Sequence, residues 1–303
     1  MSTDDKDEHF LKKLLEPLSR INNSSWERKL KIFRFAEKHG YHILKPGFYS
    51  PITSLKDLTD DVFAKEYKNM DWNVEAQLNL LQELKAFSGE FNDIVKKNLF
   101  DMSNQAFALH DAPVYYGIIR KFKPKKIIEI GAGHSTVLAS YAVQKNENTI
   151  ITAVDPFLSG ETKEMVTKAK IEFIEKPVQE LPLSFFEELS ENDILFIDSS
   201  HVSKVGSDVN FLYLEVLPIL KPGVLIHVHD IFLPHEYPRT WLEQKLLFWN
   251  EQYLLNAFLI NNKNFEALIG NYFLHLKYPE KLKDFCDTNM VPGGCSFWMK
   301  KIS

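Results

Sequence analysis

Ten consecutive residues constrain the fold of this chain more than any others: Ile127-Ile128-Glu129-Ile130-Gly131-Ala132-Gly133-His134-Ser135-Thr136. A β-branched apolar run stops at a glycine turn, and a helix-forming run, Thr136-Val137-Leu138-Ala139, follows at once. That order predicts a buried parallel strand, a tight turn and a helix N-terminus. Glycine at 131 and 133 permits a sharp bend and the close approach of a ligand. The helix start offers unpaired N–H groups to that ligand.

The pattern downstream repeats the theme. Candidate strands fall at 126–131, 149–155, 171–175, 193–198 and 223–229, with helical segments between most of them. Two further strands are expected at 265–270 and 296–302, the last preceded by a Gly293-Gly294 turn or bulge. Alternation of this kind predicts an α/β fold, a doubly wound Rossmann-like sheet of seven strands. Upstream, the chain reads as helical. Ser24 or Ser25 can cap a helix that ends near Gly40. Asn73 can cap a second, whose buried face is Val74, Leu78, Leu81, Leu84, Phe87 and Phe91. Asp111 and Pro113 suit the start of a third. The expected division is a helical extension or lid over 1–110 and a ligand-binding sheet domain over 111–303. The aromatic-rich section after Asp230 is expected to be helical to about Ile260.

Composition narrows the partners. With 45% hydrophobic and 25% charged residues and a net charge of −5, the chain is of ordinary globular type. It has no basic stripe with interleaved aromatics, so nucleic acid is not the expected partner. No apolar run is long enough to span a bilayer. The acidic start, Met1-Ser2-Thr3-Asp4-Asp5-Lys6-Asp7-Glu8, does not read as a secretory signal. Two cysteines, Cys286 and Cys295, are too few for a disulfide framework and suit a reducing, cytoplasmic setting. A homo-oligomer is compatible with all of this.

Ligands of open α/β sheets sit beyond the carboxyl ends of the strands. Asp155 ends the second expected strand, where a carboxylate can accept both hydroxyls of a ribose; the competing reading is a turn aspartate before Pro156. A dinucleotide site wants a third glycine in the turn, and Thr136 occupies that position. Glu129 would repel a pyrophosphate but tolerate a ligand carrying an amino group and a sulfonium.

At these positions the chain resembles the class I S-adenosylmethionine-dependent methyltransferases. Their first motif, acid-x-Gly-x-Gly, is matched by Glu129, Gly131 and Gly133, and Ser135 stands where many members have another glycine. The resemblance implies that Asp155 binds the cofactor ribose and that the turn near Val178-Gln179 lies beside the adenine.

A second group of residues ends the fourth and fifth expected strands: Asp198-Ser199-Ser200-His201 and His227-Val228-His229-Asp230. Neighbouring strands would bring Asp198 and Asp230 together. Paired carboxylates repel unless a proton or a cation lies between them, and oxygen donors suit Mg²⁺, Mn²⁺ or Ca²⁺. His201 could act as general base. The competing reading makes the aspartates helix caps or ion-pair partners and His201 a surface histidine. The pairing is similar to metal-dependent O-methyltransferases, particularly bacterial macrolide-sugar enzymes with an Asp-Gly-Ser-His motif, which residues 198–201 match with Ser for Gly. That group implies metal on Asp198 and Asp230 and His201 as base. It carries Glu-Asp after the next strand, where this chain has His229-Asp230, so His229 does not carry over cleanly. An imidazole there would favour softer metals or support the ligands by hydrogen bonding. His227, alternating with His229, is expected to pack in the sheet.

The expectation is therefore an S-adenosylmethionine-dependent methyltransferase, with Mg²⁺ or another divalent cation assisting O-methylation of a small-molecule or sugar hydroxyl. Two alternatives stay open: a nicotinamide-dependent oxidoreductase, which Thr136 disfavours, and a non-catalytic binding protein on a degenerate version of the same fold. Residues 232–239 read equally as a lid over substrate or as a linker. The polar run Trp249-Asn250-Glu251-Gln252-Tyr253 could face the pocket or serve as a cap.

Overall fold

The structure is a computed structural model. It describes residues 25–44, 46–146, 148–158, 160–168, 171–285 and 291–303, together with 9, 12, 13 and 16. The acidic start, Ser24 and Cys286 lie outside the described residues. Two compact units divide the chain, Met1–Thr59 and Asp60–Ser303.

In the first unit, helix α1 (Trp26–Lys38) is capped by Ser25, whose side chain accepts from Arg28 N at 3.4 Å. Glu27 in its first turn and Lys38 in its last complement the helix dipole.

The second unit begins well ahead of the expected boundary at 110/111. Helices α2 (Val74–Leu84) and α3 (Ser88–Lys96) belong to the same core as the sheet: Leu80, Leu84 and Phe91 pack in one cluster with Ile127, Leu138 and Phe196. The continuous helix expected from Asn73 to Phe91 is broken by one tight turn over Lys85–Phe87, where the Ser88 hydroxyl donates to Lys85 O at 2.8 Å. Asn73 precedes α2 in a left-handed conformation and makes no side-chain cap bond. Helix α4 (Asp111–Phe122) then leads into the sheet.

Strands β1 (Lys126–Ile130), β2 (Ile150–Val154), β3 (Glu172–Ile174), β4 (Ile194–Ile197), β5 (Leu225–Val228), β6 (Phe265–Gly270) and β7 (Phe297–Lys301) form one sheet in the order β3-β2-β1-β4-β5-β7-β6. β1 to β5 are parallel, while β7 runs antiparallel to both β5 and β6. Side chains alternate between two covered faces, which explains the near-continuous apolar runs. Ile127, Phe196 and Leu225 join the core beneath α4 and α5 (His134–Val143), whereas Ile128, Ile130, Leu195, Ile197 and Val228 join the opposite one. Each fully buried side chain of this kind contributes roughly 1.5–3 kcal/mol.

Register decides where the chemistry falls. Ile130 lies opposite both Val154 and Ile197, and Ile197 lies opposite Val228. One residue further on, Gly131, Asp155, Asp198 and His229 therefore stand in one row at the carboxyl edge. Backbone bonds hold that row: Gly131 N donates to Val154 O, Asp198 N to Ile130 O and His229 N to Ile197 O, each at 2.9 Å. At the opposite edge, buried Asp193 accepts from Lys125 N (2.9 Å) and Lys126 N (2.8 Å) on one oxygen. Its other oxygen accepts from the amide (2.9 Å) and hydroxyl (2.8 Å) of Ser190, clamping the entry to β1 against β4.

The section after Asp230 departs from the continuous helix expected there. Pro234 and Pro238 interrupt it. A single short helix covers Arg239–Glu243, and α7 (Glu251–Leu259) starts only at Glu251; α6 (Gly160–Lys168) lies earlier, between β2 and β3.

Candidate active site

The chain winds outward from β1 in both directions, so the crevice at the carboxyl ends of β1 and β4 is the switch point of the sheet. Gly131 opens it with φ of 88°. A Cβ there would stand 1.9 Å from the Asp198 carbonyl oxygen, so the close approach of β1 to β4 demands glycine. Gly133 is different. Its backbone is extended, and a Cβ would meet nothing within 4 Å, which leaves open space beside the turn. Its N–H donates to Thr136 Oγ1 at 2.9 Å. Asp155 ties the end of β2 to this turn: Oδ2 accepts from Ala132 N at 3.1 Å and Oδ1 from Phe157 N at 2.7 Å. Each oxygen keeps lone-pair capacity on a half-buried carboxylate.

Glu129, fully buried on β1, accepts from the Ser135 hydroxyl, while its Oε2 has no hydrogen-bond partner among the described residues. Burial pushes its carboxyl up to about 8, with the Ser135 and Thr136 hydroxyls pulling the other way. Gln179 lies in a tight turn after β3, exposed, with Nε2 3.4 Å from Gly206 O.

The second group converges around His201. The residue is buried and left-handed, with φ of 59°, as is Asp230 with φ of 57°. Non-glycine residues held there are strained, and such strain gathers at functional sites. His201 Nε2 lies 3.2 Å from Asp198 Oδ1 and 3.5 Å from Asp230 Oδ2. Nδ1 lies 2.8 Å from Glu251 Oε2, a carboxylate wholly removed from solvent. Burial alone would depress the ring, yet its hydrogen bonds to Asp198 and Glu251 and their charges override it and hold His201 well above its usual value. Burial likewise raises Glu251, against the pull of His201. Asp198 falls below the usual carboxylate range, because His229 and His201 together outweigh burial.

Local structure explains the convergence. The His201 carbonyl accepts from both Asn250 N and Glu251 N at 3.1 Å, so the start of α7 is built on the loop after β4. Asn250 Oδ1 accepts from Ser203 N at 2.6 Å. Asp208 accepts from Ser200 N at 2.8 Å and so braces the loop. Trp249 lies tilted against His201 with ring centres 4.3 Å apart, and Trp241 meets Trp249 edge-on at 5.2 Å. Residues 231–234 and Tyr237 are buried, and Gln252 accepts from Phe232 N at 3.0 Å and donates to His235 O at 3.2 Å.

Beside Asp230 lies a third group. Cys295 Sγ is 3.0 Å from Asp230 Oδ1, 3.7 Å from Asp111 Oδ2 and 3.8 Å from His229 Nε2. Asp111 also receives Asn271 Nδ2 (2.7 Å) and Ser296 N (2.8 Å) on Oδ1, and Cys295 N (2.9 Å) on Oδ2. His227 packs in the sheet as expected, its ring 3.7 Å from that of Phe196, and burial drives it well below its usual value.

The structure thus brings together Glu129, Gly131, Gly133, Ser135 and Asp155 around one turn, and Asp198, His201 and Asp230 around the next. Gln179 bonds to Gly206 O rather than to either group. Sequence reasoning left Glu251 as one polar residue in a run; its only signal was an acid stranded in an apolar segment. It missed Cys295 and Asp111 as neighbours of the site, because nothing in the sequence links residues so far apart.

Residues 128–231 match a family model described as a methyltransferase domain. An uncharacterized protein of Archaeoglobus fulgidus is 32% identical over 168 residues, covering 50% of this chain and 76% of its own. Among solved structures, an O-methyltransferase of Streptomyces achromogenes involved in tomaymycin synthesis, in complex with SAM, is 13% identical. It covers 74% of this chain and 89% of its own with a TM-score of 0.41. An SAH-bound methyltransferase of Podospora anserina is 14% identical, covering 87% and 100% with a TM-score of 0.41.

Proposed function

The chain belongs to the class I S-adenosylmethionine-dependent methyltransferases, and from that premise we propose that it methylates a hydroxyl of a small molecule, with a sugar hydroxyl as the first candidate. The observation that carries this reading is the placement of His201 Nε2 within 3.2–3.5 Å of two aspartates while Glu251 anchors Nδ1. Such an arrangement aims one proton-exchanging atom at the row of strand ends that includes the glycine turn.

The cofactor supplies an electrophilic methyl on a sulfonium. The residues fit it: open space beside Gly133, a half-buried Asp155 for ribose hydroxyls, and Glu129 with an unpartnered oxygen for a cationic group. Ser135 orients Glu129, and Gln179 borders the adenine side. Thr136 speaks against a nicotinamide dinucleotide, since its hydroxyl already takes the Gly133 N–H that would otherwise face a phosphate.

A divalent cation also fits. Asp198 and Asp230 would each offer it a carboxylate oxygen, and His201 Nε2, within 4.8 Å of both, stays free as the base. Bound there, a cation would supply Lewis-acid polarisation of the acceptor oxygen. The remaining work belongs to side chains. Glu251 fixes the ring orientation of His201, the Trp249 face shields it from water, and neutral His201 takes the acceptor proton at Nε2. Alignment of acceptor and methyl is worth up to roughly 7–11 kcal/mol in well-oriented systems.

Calorimetric titration with S-adenosylmethionine and S-adenosylhomocysteine, with and without Mg²⁺ or Mn²⁺ and beside NAD and NADP controls, tests the premise. Selective binding of the first pair is expected, followed by methyl transfer to hydroxyl compounds in a radiolabel screen. Transfer confined to nitrogen or carbon acceptors would overturn the O-methylation reading.

A further inference from the structure

We propose that Asp111, His229 and Cys295, with Asp230 Oδ1 as fourth donor, form a binding site for a borderline divalent cation of the zinc type, separate from the Asp198–His201–Asp230 group. The proposal does not depend on the methyl acceptor.

Three distant parts of the chain meet here. Asp111 opens α4, His229 follows β5, and Cys295 lies just before β7. Asp111, His229 and Cys295 place one donor atom each within 4.8 Å of the others. For zinc, metal–sulfur and metal–nitrogen bonds of about 2.3 and 2.05 Å put tetrahedral ligands about 3.6 Å apart. The separations of Cys295 Sγ from Asp111 Oδ2 and His229 Nε2, 3.7 and 3.8 Å, match that spacing. Asp230 Oδ1 lies 3.8 Å from the same imidazole nitrogen and 3.0 Å from Cys295 Sγ, a thiol hydrogen bond that a cation would replace, opening the pair to about 3.6 Å.

The donors are held as ligands are held. Asp111 is buried, and three hydrogen bonds from Asn271 and the backbone at 295 and 296 fix its carboxylate; such outer bonds orient metal ligands. The backbone wraps so closely that a Cβ at Gly294, whose φ is 122°, would stand 2.5 Å from Asp111 Oδ1. His229 Nε2 also lies 3.2 Å from Ala106 O, a bond that a cation would displace. Thiolate, imidazole and carboxylate together select zinc, cobalt or iron(II) over magnesium. Asp230 faces both groups, with Oδ2 toward His201 and Oδ1 toward Cys295, so it would bridge the two positions.

Cobalt(II) titrated into the full-length protein reads the site directly. A thiolate-to-cobalt charge-transfer band is expected in the near ultraviolet. It should be at least tenfold weaker in Cys295→Ser, and persist in Cys286→Ser and in Asp198→Asn. His229→Gln should weaken cobalt binding roughly 10–100-fold. A missing band, or one that survives Cys295→Ser, overturns the proposal. A second measurement uses only the unaltered chain: alkylation of Cys295 by iodoacetamide, followed by peptide mass spectrometry, with and without stoichiometric zinc. Slowing of at least tenfold supports the site, and an unchanged rate refutes it.

Discussion

On the proposed mechanism, two buried glutamates tune the chemistry at the scale of single residues. Glu251 holds His201 from behind, and the pair of Asp198 and Glu251 keeps the imidazole charged above its usual range. The neutral ring that accepts a proton is therefore populated toward alkaline pH, and turnover should rise in that direction. Replacing Glu251 by Gln removes one of the charges that raise the ring. The alkaline rise should then shift to lower pH while kcat falls roughly 10²-fold or more, a range typical of acid–base catalysis. Cofactor affinity should stay within a factor of two or so, as calorimetry would show. Glu129 behaves differently. Its carboxyl moves from an ordinary 4.5 up to about 8, so the folded protein retains a proton that the unfolded chain releases. The stability associated with that proton is fully present below about pH 4.5 and is lost as pH rises through about 8. Glu129→Gln should therefore gain on the unaltered protein across this window by a few kcal/mol, at about 1.4 kcal/mol per unit. Urea melts of both proteins at about pH 5 and about pH 9 check the sign. The sequence revealed Glu129 because it precedes a glycine turn. It did not reveal Glu251, because a helix boundary, rather than any motif, aims that side chain inward.

Elements carry the next set of constraints. The glycine turn is tied to β2 by the Asp155 bond to Ala132 N, so the carboxylate both shapes the turn and faces the crevice. Asp155→Ala should weaken S-adenosylmethionine binding at least tenfold, about 1.4 kcal/mol, by calorimetry. Asp193 offers the contrasting case at the far edge. Its carboxylate receives three backbone amides and one hydroxyl. Asp193→Ala should destabilise the fold by about 3 kcal/mol while activity per folded molecule is unchanged, which denaturation and active-site titration would separate. Strand positions were legible in sequence because parallel strands buried on both faces read as unbroken apolar runs. The stretch from Asp230 to Ile260 was not: aromatic content mimics a helix, whereas two prolines and the docking of Asn250 and Glu251 on the His201 carbonyl set the true breaks.

For the molecule as a whole, the seven-stranded sheet followed from the alternation of patterns, but the extent of its unit did not. Helical periodicity at residues 74–96 says that a face is buried without saying against what, and that face turns out to complete the core over β1. The placing of β7 between β5 and β6 was equally invisible, since antiparallel insertion leaves no local mark. That insertion bears on how the protein comes into being. During synthesis β5 is made long before the strand that covers its edge, and β6 emerges with no neighbour to pair with. Until β7 arrives, the nascent sheet ends in an open, apolar margin of the kind that chaperones guard and that neighbouring chains can invade. Cys295 and Ser296 reach Asp111 only with that final strand, so a partly made chain holds the glycine turn and the His201 loop in sequence but not the finished wall beside them.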